Sequence, residues 1–416
     1  MLIRRSIALV LTALLSLGAA HGQEAPSAAA EIPPALLAQM QTIETATSIL
    51  RDLPETAPIE RAFPTRAQTI AYLEDLYNRE LPQDEIDRTT DFYVALGLLP
   101  ADIDLRQVYL DLLGSQVAGF YDTDTRTMNV IPLTGDDPGQ RLSLLEQTIY
   151  AHEYTHALQD MHFDLDAVLP DTVGREAPDR ALALIALIEG DATAVMQVYL
   201  QEAAADSPAA ALSLLAETAL AGALTMPSGI PDILTRELLF PYEAGLTFVS
   251  TVWSDGGWEA VNAAYTTPPT TSEQIIHPQK FLDGEGAIAV DLGDATPGES
   301  WMLVWDTTLG QFYLREHLRT VTEFDTAAAR ASIGWGGDAL RVWRADDGGR
   351  AFALRLAFDT PADLDEFVAV YDEATGAFAE SCGVLVESVL CAVRDGDQIV
   401  IASAPDIETA RLLIGA

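Results

Sequence analysis

Tyr150-Ala-His-Glu-Tyr-Thr-His-Ala-Leu-Gln159 is the stretch on which the reading of this chain turns. It sits in a run, Arg141 to about Met161, whose pattern predicts a long helix. On a helix, side chains four apart stand on one face, a single turn from each other. His152 and His156 have that spacing, so both imidazoles can reach one ion. Glu153 is offset around the helix, where it can meet a water activated by the ion instead of the ion itself. The stretch therefore predicts one zinc ion per chain and a hydrolytic reaction with Glu153 as general base.

A catalytic zinc site takes three protein ligands and keeps one position open. Glu189, in Leu187-Ile-Glu-Gly-Asp-Ala192, follows the apolar run Ala181–Ile188 in a second expected helix, Ala181 to about Glu202. A carboxylate buried there is costly unless a cation neutralises it, and a divalent ion on two neutral histidines would do so. The alternative is a kink at Gly190 that turns Glu189 to water. His162 is a rival ligand, six residues after His156 as in the pattern HExxHxxGxxH. That pattern needs a glycine to turn the chain back, whereas Gln159 holds the position here and its neighbours favour continued helix. On a continuing helix His162 points away and reads as a helix-end cap. For a tetrahedral oxyanion, His277 and Tyr242 are the candidate donors. His277 is held by a short capped helix and Pro278, and Tyr242 stands in Phe240-Pro-Tyr-Glu243. Asp191 or Thr193 could orient a ligand histidine, and the spacing does not separate them.

HExxH on one helix with a glutamate on the next is similar to the gluzincin branch of zinc metallopeptidases. The wider strings His152-Glu-Tyr-Thr-His-Ala-Leu-Gln159, Glu189-Gly-Asp-Ala192 and Ser272-Glu-Gln-Ile-Ile-His-Pro278 resemble a little-characterised family of secreted bacterial proteins, over roughly residues 110–340. The resemblance implies a secreted zinc metallopeptidase acting on a peptide or protein substrate. His152, His156 and Glu189 would be its ligands and Glu153 its base, with the substrate extended beside a hairpin at 117–131. Thermolysin-like enzymes place their glutamate nearer to HExxH than the 33 positions between His156 and Glu189. Two other readings compete: a non-catalytic envelope or binding protein with structural zinc, and a metal-dependent amidase acting on a non-peptide substrate. The intact Glu153 speaks against the first, as does the lack of a nearby cysteine to close a four-ligand site.

Acidic residues number 63 against 23 basic ones, Lys280 being the one lysine, and the formal net charge is −40. Nucleic acid and anionic membranes demand a basic face, so neither is an expected partner. Arg4 and Arg5 ahead of the apolar run Ile7–Leu17, with Ala20-His-Gly22 beyond it, read as a signal peptide over residues 1–22, followed by a flexible leader over 23–34. The run is too short to cross a bilayer. The expectation is a secreted or periplasmic protein with no stable membrane insertion after cleavage. In that compartment Cys382 and Cys391 are expected to form a disulfide.

The expected fold class is α+β. A mainly helical, zincin-like domain with a small hairpin (117–121 and 127–131) covers 35–330, and a small C-terminal α+β domain in ββαββα order covers 331–416. The alanine-rich run 209–226 reads as a core helix or helical hairpin in preference to a membrane-seeking one. Helices Tyr242–Trp253 and Trp258–Ala264 are expected to part at Ser254-Asp-Gly-Gly257, and Thr270-Thr-Ser-Glu273 to form a capping box.

Overall fold

Leu36, Met40 and Ile43 recur at helical spacing, and in the computed structural model they bury one face of α1 (Pro34–Arg51). They share an apolar cluster with Tyr150, Tyr154 and Leu158 of α2 (Leu144–Phe163), the motif helix. Each such side chain removed from water contributes about 1.5–3 kcal/mol. Ser143 starts α2: its Oγ accepts from the Glu146 amide, and Glu146 Oε2 accepts from the Ser143 amide. Every residue from Tyr150 to Gln159 is buried, so the polar ones must find partners inside. The structure describes residues 32–116, 119–132, 135, 137, 139–206, 229–322, 324–378, 382–384 and 388–415. The expected signal peptide, most of the leader and the run 209–226 lie outside the described residues.

The fold is α+β, in two compact units. The first comprises the described residues of 1–82, 106–172 and 184–269. Strands β1 (Glu60–Ala62), β2 (Gly119–Asp122) and β3 (Thr127–Val130) form a sheet in the order β1-β3-β2. β2 and β3 are the expected hairpin, while β1, three residues too short to show alternation, joins parallel to β3. Two long helices complete this part, α3 (Pro178–Asp206) from Leu184 onward and α4 (Asp232–Thr266). α3 is apolar and long enough to cross a membrane by composition, yet most of that stretch is buried inside the protein. Gly190 does not kink it. A Cβ on Gly190 would stand 2.2 Å from the backbone of Gly245 in α4, and one on Gly245 would stand 2.2 Å from the Ala186 carbonyl oxygen. The glycines let the two backbones touch. α4 starts at Asp232, ahead of the expected Tyr242, and runs through Pro241; its helical geometry breaks at Gly256 and Gly257, the expected division.

The second unit comprises the described residues of 83–105, 173–183 and 270–416, so it does not begin at the 330/331 boundary suggested by the change in sequence pattern. Its sheet contains β4 (Trp301–Thr307), β5 (Trp335–Ala345), β6 (Arg350–Phe358), β7 (Cys382–Val384), β8 (Val389–Asp395) and β9 (Gln398–Ala404). All pairings are antiparallel, in the order β4-β5-β6-β9-β8-β7. The anticipated ββαββα order is β5, β6, the helix Pro361–Thr375, β8, β9 and the helix Ile407–Leu413, and β4 and β7 add one edge each. β4 carried no readable alternation because Met302 and Leu303 are neighbours and both exposed. Cys382 and Cys391 face each other across β7 and β8 and form the expected disulfide.

Thr271, not Thr270, caps the short helix Ser272–Ile276: its Oγ1 accepts from the Gln274 amide, and Gln274 Oε1 accepts from the Thr270 amide. Gln274 holds the third helical position, and its side chain accepts from the residue before the cap instead of from the cap itself, so the pair is not the expected box. That leaves Glu273 free to accept from Lys280 at 2.7 Å, and Lys280 also meets Glu285 at 2.6 Å and Asp359. Burial opposes the charge on Lys280, but these three carboxylates hold its ammonium above the ordinary lysine range. Asp179, buried at the start of α3, accepts from the Ser272 amide at 3.0 Å, and burial raises its carboxyl to about 7.

Candidate metal centre

His152 and His156 stand on one face of α2 with their Nε2 atoms 3.1 Å apart. α3 brings Glu189 to them: its Oε2 lies 3.1 Å from His152 Nε2 and 3.6 Å from His156 Nε2, and all three residues are buried. Donor atoms about 2.0–2.1 Å from a tetrahedral ion lie about 3.3 Å from one another, close to these spacings. The group could hold a metal ion. Burial raises the Glu189 carboxyl, but its hydrogen bonds with the two imidazoles outweigh it and bring the group to about 2. Burial lowers the proton affinity of His152, against the opposing effect of its hydrogen bond to Glu189.

The hydrogen bonds around His156 define which of its nitrogens carries the proton. Gln159, one turn further along α2, places Oε1 2.8 Å from His156 Nδ1. Its Nε2 lies 3.0 Å from both the Ile188 carbonyl and Asp191 Oδ2, two acceptors, so the amide nitrogen must face them. Oε1 therefore accepts from Nδ1–H, and His156 Nε2 faces Glu189 Oε2. A buried carboxylate that converges with two imidazole nitrogens needs a cation, a proton or a metal ion, to offset its charge. That donor set, two imidazole nitrogens and one carboxylate oxygen, is the observation that fits the three residues to a metal.

Asp191 anchors the arrangement. Its Oδ1 accepts from Arg51 Nε at 2.6 Å, and its Oδ2 also accepts from Tyr265 at 2.8 Å; Arg51 and Asp191 are both fully buried. The Arg51 guanidinium stacks on Trp258, and its Nη2 donates to Asn262. Of the two residues the spacing left unresolved, Asp191 thus reaches a ligand, through Gln159. Thr193 Oγ1 is buried without a partner. Tyr242 donates to Glu189 Oε1 at 2.9 Å and stacks on His152, so one glutamate oxygen is fixed while the other faces the histidines.

Glu153 is not one of the three donors that converge. Its Oε2 accepts from the Tyr121 amide of β2 at 3.2 Å. Burial, then the nearby Glu189 carboxylate, push its proton affinity well above the usual carboxylate range. It also lines a small pocket with Gly119, Met128, Ile131 and Ile149. His162 lies at the end of α2 and bonds the Pro54 carbonyl at 2.8 Å, away from the three-donor group. His277 belongs to the second unit, where its Nε2 is 3.1 Å from Gln311 Nε2. Gln159 and Arg51 are the residues that sequence reasoning passed over. Gln159 had a signal, its position three residues after His156 on the same face, but it was weighed only as a missing glycine.

The model of a family described as a domain of unknown function (DUF8575) matches residues 301–413. That segment takes in β4 to β9 and the helix Ile407–Leu413, and none of the residues that converge on His152 and His156. No curated protein and no solved structure matches the chain.

Proposed function

We propose that this protein is a zinc-dependent metallopeptidase of the gluzincin kind, working on peptide or protein substrates outside the cytoplasm. The observation that carries the reading is the pairing of a three-donor group with a separate buried carboxylate one residue from the first histidine. His152, His156 and Glu189 would hold the ion, and two histidines with one carboxylate suit zinc. When bound, zinc supplies Lewis acidity, polarising a carbonyl and bringing the pKa of a coordinated water to about 7.

The remaining steps belong to the chain. Glu153 has one oxygen occupied by the Tyr121 amide, which leaves Oε1 to take a proton from the attacking water and return it to the leaving nitrogen. Tyr242 holds Glu189 in the orientation that presents Oε2. The Cys382–Cys391 disulfide supports an oxidising compartment.

The test is metal analysis of the purified protein together with cleavage of an unstructured protein, with and without chelator. Glu153→Gln should retain about one zinc per chain and lose at least 10²-fold in rate. Zinc-loaded wild-type protein that cleaves no peptide would refute the peptidase reading.

A further inference from the structure

We propose that Gln159 is the positioning residue of this centre: its amide holds His156 as the Nδ1–H tautomer, with the Nε2 lone pair turned to the metal before any metal arrives. The inference rests on reading His152, His156 and Glu189 as ligands, and does not require that the protein be a peptidase. A lone imidazole has no strong preference to present Nε2 as an acceptor, and here the neighbouring groups compete for the opposite choice. Glu189 Oε2 and His152 Nε2 both lie within 3.6 Å of His156 Nε2, and a proton there would satisfy either of them. The acceptor on the other side, Gln159 Oε1 at 2.8 Å, pulls the proton to Nδ1.

That pull is reliable only if the amide cannot flip. Its nitrogen is pinned by two acceptors, the Ile188 carbonyl and Asp191 Oδ2. Asp191 is pinned in turn by Arg51 and Tyr265. The order therefore runs from a fully buried ion pair, through one neutral amide, to one ring nitrogen. The second histidine has no such support among the described residues, where His152 Nδ1 is buried with no hydrogen-bond partner. The two imidazoles are thus held unequally, and His156 is the one the protein prepares. A carboxylate bonded directly to His156 would add negative charge to a site that already contains Glu189 and Glu153. The intervening amide gives orientation without that charge.

The experiment compares the wild-type protein with Gln159→Met, which keeps the length of the side chain and removes both amide functions. Ring-nitrogen NMR on the ¹⁵N-histidine-labelled, metal-free protein reports the tautomer, and competition with a chromophoric chelator reports zinc affinity. The wild type should show His156 protonated at Nδ1. The variant should show a shift toward Nε2–H and an affinity about 10–100-fold weaker. If the variant does not fold, the wild-type tautomer decides alone, and His156 protonated at Nε2 overturns the proposal. A folded variant with unchanged tautomer and affinity within about twofold of wild type overturns it equally. Zinc binding with the Nδ1–H tautomer but without peptide cleavage supports this inference while removing the peptidase reading.

Discussion

Replacing Gly190 with alanine tests how Glu189 is placed. The added methyl carbon would lie 2.2 Å from the Gly245 backbone. Ordinary carbon contacts lie near 3.5–4.0 Å, so α3 and α4 must part by roughly 1.5 Å at their crossing. Overfilling a packed interior costs about 1–3 kcal/mol, and a clash against backbone belongs at the upper end. Alanine recovers about 1 kcal/mol of helix propensity, leaving a net loss near 2 kcal/mol. In thermal unfolding of the metal-free protein this should lower the midpoint by about 4–8 °C. The displacement also reaches the site, because Glu189 precedes Gly190 on α3 and Tyr242 precedes Gly245 on α4. Their 2.9 Å hydrogen bond spans the widened gap, and zinc affinity should fall about tenfold or more. Gly286→Ala is the control, since a Cβ there meets nothing within 4 Å. A Gly190→Ala protein that is more stable than wild type, as helix propensity alone would have it, and binds zinc equally well would show that the crossing does not set the ligand.

Two further outcomes follow from the second unit. Cys382 and Cys391 are nine residues apart, so replacing both with serine frees a short loop and should cost about 2–3 kcal/mol in chemical denaturation; no change in midpoint would show that the bridge adds nothing to β7 and β8. Asp179 has a carboxyl raised to about 7 by burial, against an ordinary value of 3.8. The folded form therefore holds a proton that the unfolded chain releases between pH 4 and 7, and stability should fall as pH rises through that window, by on the order of 4 kcal/mol. Asp179→Asn should remove this contribution and leave those of Glu273, raised to about 7, and Asp338, raised to about 6, and an identical slope in the variant would exclude Asp179 as a source.

His152 and His156 were readable because helical spacing alone brings them together, and Glu153 came with the same motif. Glu189 was readable for another reason, a charge set in an apolar helix, which needs a neutralising partner wherever the helix lies. The residues that fix these ligands were not legible. Arg51 lies 140 positions before Asp191, and no local pattern announces a contact over that distance. Gly190 suggested a bend, because a glycine in a helix looks the same whether it serves flexibility or close approach. The C-terminal strands and helices alternated cleanly enough to give their order, but the edge strands β4 and β7 escaped. One exposes neighbouring apolar residues, and the other is three residues long.

Lys280, clasped by Glu273, Glu285 and Asp359, bears on how the protein can be handled. It carries the sole ε-amino group in the chain, and its side chain is only 19% exposed. Acylating reagents attack the free base, and a proton secured by three anions keeps that form scarce. Cross-linkers and surfaces that couple through lysine should therefore find little purchase on the native protein, while carbodiimide chemistry at its many acidic groups should succeed. Appearance of label at Lys280 then becomes a sensitive report that this corner of the second unit has opened.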